Sequence, residues 1–180
     1  MAPSASGRAP VARRLAFGAL AGVAGTVAMD ALWYLRYRRD GGTDRAWRWE
    51  TAEAVTTWEQ ASAPGQLGRK ALRIVLRRPP PDTWARSTTN VLHWATGAGW
   101  GLQYAALAGR AAAPPWLPAI ALGPAAWLSS YVVLPLAKVY RPIWEYDART
   151  LGRDLSAHLV YGLATSGAYA ALDRARGSVR

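Results

Sequence analysis

Hydrophobic positions in this chain are gathered into four long blocks separated by charged and proline-rich segments. The first block, about 15–35, carries a single charge, Asp30, and lies between Arg13, Arg14 and Arg36, Arg38, Arg39. The others cover about 91–109, 116–137 and 155–172, and none holds a charged residue apart from histidine. A helix crossing a bilayer needs about 20 apolar residues at 1.5 Å rise each, so each block predicts a spanning helix. The expected fold is all-α: an integral membrane four-helix bundle, with a basic tail at 1–14, a single membrane domain at 15–180 and an interfacial loop at 36–87.

Composition strengthens this reading. Of 180 residues, 51% are hydrophobic, yet mean hydropathy is near neutral, so the apolar residues must be concentrated rather than dispersed. A core helix of a soluble bundle usually supplies only 10–14 apolar residues in a row; these blocks are longer. Trp33, Trp84, Trp94, Trp116 and Trp144 fall at or near block ends, where an indole favours the headgroup layer. A secretory signal could begin as the first block does, but this one runs on through Trp33, Tyr34 and Leu35 to a basic stop, which predicts a retained helix. There is no cysteine, hence no disulfide, thiolate metal site or thiol nucleophile.

Small residues one turn apart, Gly18 and Gly22 in the first block and Gly97 and Gly101 in the second, predict helices that pack closely on one another. Pro118, Pro124 and Pro135 predict a kinked third helix whose freed carbonyls are met by neighbours or by Ser129 and Ser130. In the first loop, acids at 50, 53 and 59 with apolar residues at 47, 55 and 58 predict a short amphipathic helix over 47–61, ended by Pro64-Gly65. Leu67, Ala71, Ile74 and Val75 then recur at helical spacing among Arg69, Lys70, Arg73, Arg77 and Arg78. That pattern predicts a basic helix lying on anionic lipid headgroups and stopped by prolines 79–81.

The formal charge of +11 invites a nucleic-acid reading. The arginines, however, flank apolar blocks and no nucleic-acid motif is present, so lipid phosphate and topology account for them, and the expected partner is the bilayer, with no nucleic acid. Four spans put both termini on one side. The loop side holds fifteen Lys and Arg against seven on the terminal side, which favours cytoplasmic loops, although Arg8, Arg13 and Arg14 pull the other way.

An internal repeat links the second and fourth blocks. His93 is followed by Gly97 and by Tyr-Ala-Ala-Leu from Tyr104; His158 is followed by Gly162 and by the same four residues from Tyr169. Two related helical hairpins are the expected origin. His, Gly, a small residue (Gly101 or Ser166) and Tyr share one helical face. By depth, Asp30, His93, Tyr131 and His158 reach the same end of the bundle, closed by Glu145, Asp147 or Asp154. Ionisable residues inside spans mark a functional site or a mutual pair by default. Three readings fit: a structural cluster holding the helices in register; bis-histidine ligation of a haem b by the only two histidines of the chain; or a divalent metal on Asp30 and two imidazoles. No hydrolase, phosphate-loop or dinucleotide motif occurs, so the expected function is non-enzymatic.

The glycine-rich first helix (Gly18, Gly22, Gly25), the Trp58-Glu59 pair, the proline run and the two His-x3-Gly helices resemble the YagU-like family of bacterial multi-pass inner-membrane proteins. The resemblance implies a bacterial cytoplasmic membrane location and no particular activity. Four helices of this size enclose little space, so a transport pathway would need a homo-oligomer or a membrane protein partner.

Overall fold

A computed structural model describes residues 5–108 and 116–177, and the side chains of 11–108 and 120–175. Arg110, the first four residues of the basic tail, the last residue of the second block and the side chains of Arg8, Trp116 and Pro118 lie outside this. The described residues form six α-helices and no strand: α1 (Ala5–Arg39), α2 (Ala46–Glu50), α3 (Ala63–Leu76), α4 (Ala85–Ala108), α5 (Trp116–Leu136) and α6 (Ala148–Gly177). Each predicted block lies within one long helix or at its very end. α1 packs along both α4 and α6, and α5 packs along α6.

Small residues set these crossings. A Cβ on Gly18 would stand 2.5 Å from the Ala105 Cβ and 2.6 Å from the Gly101 carbonyl oxygen, and one on Gly101 would stand 2.6 Å from the Gly22 Cα. No side chain fits there, so the backbones of α1 and α4 touch. Gly25 plays the same part against Tyr161 and Thr165 of α6, and Gly123 of α5 lies against the His158 backbone. Of the repeat positions, Gly97, Gly101, Tyr104, Gly162 and Ser166 are buried and Tyr169 is half-buried, and the two equivalent tyrosines, Tyr104 and Tyr169, meet edge to face at 5.5 Å.

The helix exteriors carry the large aliphatic side chains. Along α1 the buried positions are Gly18, Ala21, Gly22, Gly25, Thr26 and Asp30, whereas Leu20, Val27 and Leu35 are 54–58% exposed. Leu102 and Leu107 of α4, Leu128, Val132 and Leu136 of α5, and Leu163 of α6 also point outward. The largest fully buried side chains among the described residues are Trp58, Thr26 and Thr165. By length and composition α1 can cross a membrane over Val11–Arg39, and α5 supplies a shorter apolar helix, Ile120–Leu136.

α5 remains one helix through Pro124 and Pro135. Ser129 and Ser130 both donate to the Ala126 carbonyl, at 2.8 and 3.1 Å, rather than to carbonyls four residues before either proline. The first loop also departs from expectation. The helix expected over 47–61 is reduced to α2 and a 3-10 turn at Trp58–Gln60, broken where Ala52 takes φ +48. Pro64 does not end a helix; it occupies the first turn of α3, where its missing N–H costs nothing.

Trp58 is the anchor of this loop. It is completely buried, packs with Ala61, Ala85, Val55 and Leu72, and donates from Nε1 to the carbonyls of Pro80 at 3.0 Å and Pro81 at 3.1 Å. Gly65 and Gly68 then let α3 close on Thr88 and Thr89 of α4. The basic helix therefore rests on the bundle, and Ile74 and Val75, both more than three-quarters exposed, form its outer apolar edge.

Candidate functional site

Gly41, at φ +95, supplies the left-handed backbone that ends α1 and lets the chain double back. The returning segment is tied down at once. Tyr34 donates to the Asp44 carbonyl at 3.0 Å, Tyr37 donates to Asp44 Oδ2 at 2.8 Å, and both rings pack against Trp49. On the other side, Arg86 and Asn90 of α4 donate to the Thr51 carbonyl at 3.0 and 2.9 Å. These contacts hold α2 across the end of the α1–α4 pair. The consequence is that Glu50 is delivered to Asp30.

Asp30 is 6% exposed, and its Oδ2 lies 2.7 Å from His93 Nε2. A ligand atom from each of Asp30, Glu50 and His93 falls within 4.8 Å of the other two. Glu50 Oε1 is buried without a hydrogen-bond partner. Burial first, and the neighbouring Asp30 second, raise the Glu50 carboxyl above the usual carboxylate range. Among the described residues no lysine or arginine hydrogen-bonds to either carboxylate; Arg36, farther along α1, donates to the Arg153 carbonyl at 2.7 Å and to Ser156 at 2.8 Å on α6.

The four residues expected to form one cluster divide into two. Asp30 and His93 meet as the depth argument requires. His158 does not join them: its Nδ1 lies 3.0 Å from the Asp154 carbonyl and 3.4 Å from Asp154 Oδ1, one turn earlier on its own helix. Tyr131 lies beside the same Asp154 in an aromatic group with Tyr140 and Tyr146, ring centroids 5.5–6.1 Å apart. Burial first, then Asp154, pushes the Tyr140 phenol up to about 12. Of the suggested closing acids, Asp154 is in this second group, Asp147 caps α6 by accepting from the Thr150 N–H at 2.9 Å, and Glu145 is exposed.

Each imidazole is thus engaged by a different carboxylate, an arrangement that lends no support to a shared haem b. The residue that sequence reasoning missed is Glu50, read there only as one acid of an amphipathic stretch. Its signal was the Gly41-Gly42 pair, which reverses the chain close enough to α1 to bring an acid back over Asp30. Comparison with protein-family models, curated proteins and solved structures gave no match to this chain.

Proposed function

We propose that the chain is a small multi-pass integral membrane protein of the bacterial cytoplasmic membrane, with α1, α4, α5 and α6 as its four spans and the loops at 36–87 and 138–154 on the cytoplasmic side. It acts as a non-enzymatic component of a membrane assembly. The observation that carries this reading is the distribution of side chains: glycine, alanine, threonine, a buried aspartate and a small cluster of Tyr104, Leu122 and Tyr161 face inward, and most of the leucine and valine faces outward. In water a bundle lowers its free energy by about 1.5–3 kcal/mol for each large aliphatic side chain it buries. In hydrocarbon that gain vanishes, and close backbone packing with internal polar contacts holds the helices instead.

α1 satisfies the length and apolarity of a span by itself. α4 and α6 are less apolar than α1: the half-buried His93 and the exposed Gln103 on α4, and the half-buried His158 with the buried Thr165 and Ser166 on α6, lower their mean hydropathy. Their lipid-facing sides retain Val91, Leu102, Leu107, Leu159 and Leu163. The arginines fit the two surfaces: Arg14 donates to the Ala105 carbonyl at 3.1 Å on the terminal side, and Arg153 pairs with Asp40 at 2.8 Å on the loop side. α3, with its exposed basic residues and the apolar edge of Ile74 and Val75, lies in the headgroup layer.

The test is fractionation of cells expressing the full chain. The protein should sediment with the membranes, resist an alkaline wash and enter solution only with detergent. Recovery in the wash supernatant as a monodisperse species would refute the reading.

A further inference from the structure

The geometry points to a divalent transition-metal site formed by Asp30, Glu50 and His93, of the zinc or manganese class. Three donors from three separate elements, α1, α2 and α4, converge so that one ligand atom of each lies within 4.8 Å of the others. Ligands of a tetrahedral ion with bonds of about 2.1 Å stand about 3.4 Å apart, so modest side-chain rotations close the set. One imidazole with two carboxylates and no thiolate is the donor chemistry of borderline and hard divalent cations.

A second observation, independent of convergence, is charge and hydrogen-bond balance. Glu50 Oε1 is buried with no partner, and no lysine or arginine hydrogen-bonds to either carboxylate among the described residues. Two carboxylates crowd one imidazole, and although Glu50 as a whole is half-buried, its Oε1 is enclosed with no hydrogen-bond donor to meet it, which is costly for a charged group. A cation supplies the missing positive charge and accepts the unused lone pair. A third observation is the support around the site. Tyr34, Tyr37, Arg86 and Asn90 hold the segment carrying Glu50 from both sides, so the third ligand is fixed rather than carried on a free loop.

Three protein ligands leave at least one coordination position open, the feature that separates reactive or exchangeable metal sites from closed structural ones. Depth is the only element taken from the four-span reading: the ion would sit at the loop-side end of the spans, reached from the α2 side. His158 belongs to the Asp154 network and has no place in the site.

The experiment is zinc alone, then manganese alone, added to the full chain purified in mild detergent, with bound metal measured by elemental analysis after gel filtration. The wild-type chain should retain one ion. Glu50→Gln and His93→Gln should each weaken binding at least about tenfold, as even changes behind the ligands do, whereas His158→Gln should bind as the wild type does. Because Glu50 lies on the short α2, outside the packing of the four long helices, Glu50→Gln with an unchanged circular dichroism spectrum decides the matter even where Asp30→Asn fails to fold. A wild-type chain that retains neither metal, a Glu50→Gln chain that binds normally, or a His158→Gln chain as impaired as His93→Gln would overturn the proposal. A metal-free chain that still sediments with membranes overturns the site alone; a metal-binding chain in the wash supernatant overturns the spanning reading alone.

Discussion

Two glycines of α4, two residues apart, should respond to the same substitution with opposite sign. An alanine at Gly99 meets nothing within 4 Å, so only helix propensity acts, and Gly99→Ala should stabilise the protein by about 0.5–1 kcal/mol. At Gly101 the added Cβ would stand 2.6 Å from the Gly22 Cα and the Gly22 nitrogen, and it would also press on the Gly18 carbonyl oxygen. These are backbone atoms, so relief requires α1 and α4 to move apart. Overpacking of a close contact costs about 1–3 kcal/mol, and here the strain falls on backbone with no rotamer to absorb it, so the upper end applies. After the propensity gain is subtracted, Gly101→Ala should destabilise by about 2–2.5 kcal/mol. The assay is reversible unfolding of the full chain in mixed micelles with increasing denaturing detergent, followed by far-ultraviolet circular dichroism, with both variants against wild type. Equal stabilisation by the two substitutions would refute the close crossing of α1 and α4.

Trp58→Ala should cost about 3–5 kcal/mol, the range for emptying a buried indole site, and should expose the segment 55–81 to protease before the four long helices unfold. Trp58→Phe keeps most of the ring but leaves the Pro80 and Pro81 carbonyls without their donor, so it should show a smaller loss, about 1–3 kcal/mol. The Tyr140 phenol, pushed up to about 12 from its ordinary value of 10.0, favours the folded state while neutral. That contribution is complete below about pH 10 and falls away as pH rises towards 12, because the unfolded chain ionises first. Tyr140→Phe should remove this part of the alkaline loss, as measured by unfolding at stepped pH.

The four long helices were legible because each apolar block is long enough for about five or more helical turns and ends at charged residues. The Asp30–His93 pair was legible for a related reason: depth along a helix follows from residue count at 1.5 Å per residue. Rotation about the helix axis and choice of neighbour do not follow from a count. His158 has the right depth and the repeat context of His93, yet Asp154 one turn earlier captures its Nδ1 locally. Tyr131 likewise reaches the expected end and joins Tyr140 and Tyr146 instead. Glu50 escaped because its place depends on a chain reversal at Gly41, a non-local event that the spacing of apolar residues does not encode. Trp58 was read as one position of an amphipathic face; only the meeting of the loop with the proline run makes it the centre of a small core.

The central claim is that hydrocarbon surrounds the outward faces of all four long helices, and the natural absence of cysteine allows a direct measurement. Single cysteines placed at Leu20, Leu102, Val132 and Leu163, one on each helix and all exposed, are to be challenged in inside-out membrane vesicles, whose outer face is the cytoplasmic one, with a charged, water-soluble maleimide, with Thr43 of the first loop as the reference. The account predicts rapid labelling at Thr43 and protection at the four helix positions until detergent and denaturant are added. Labelling of the helix positions at the rate of Thr43 in the intact vesicles would contradict it.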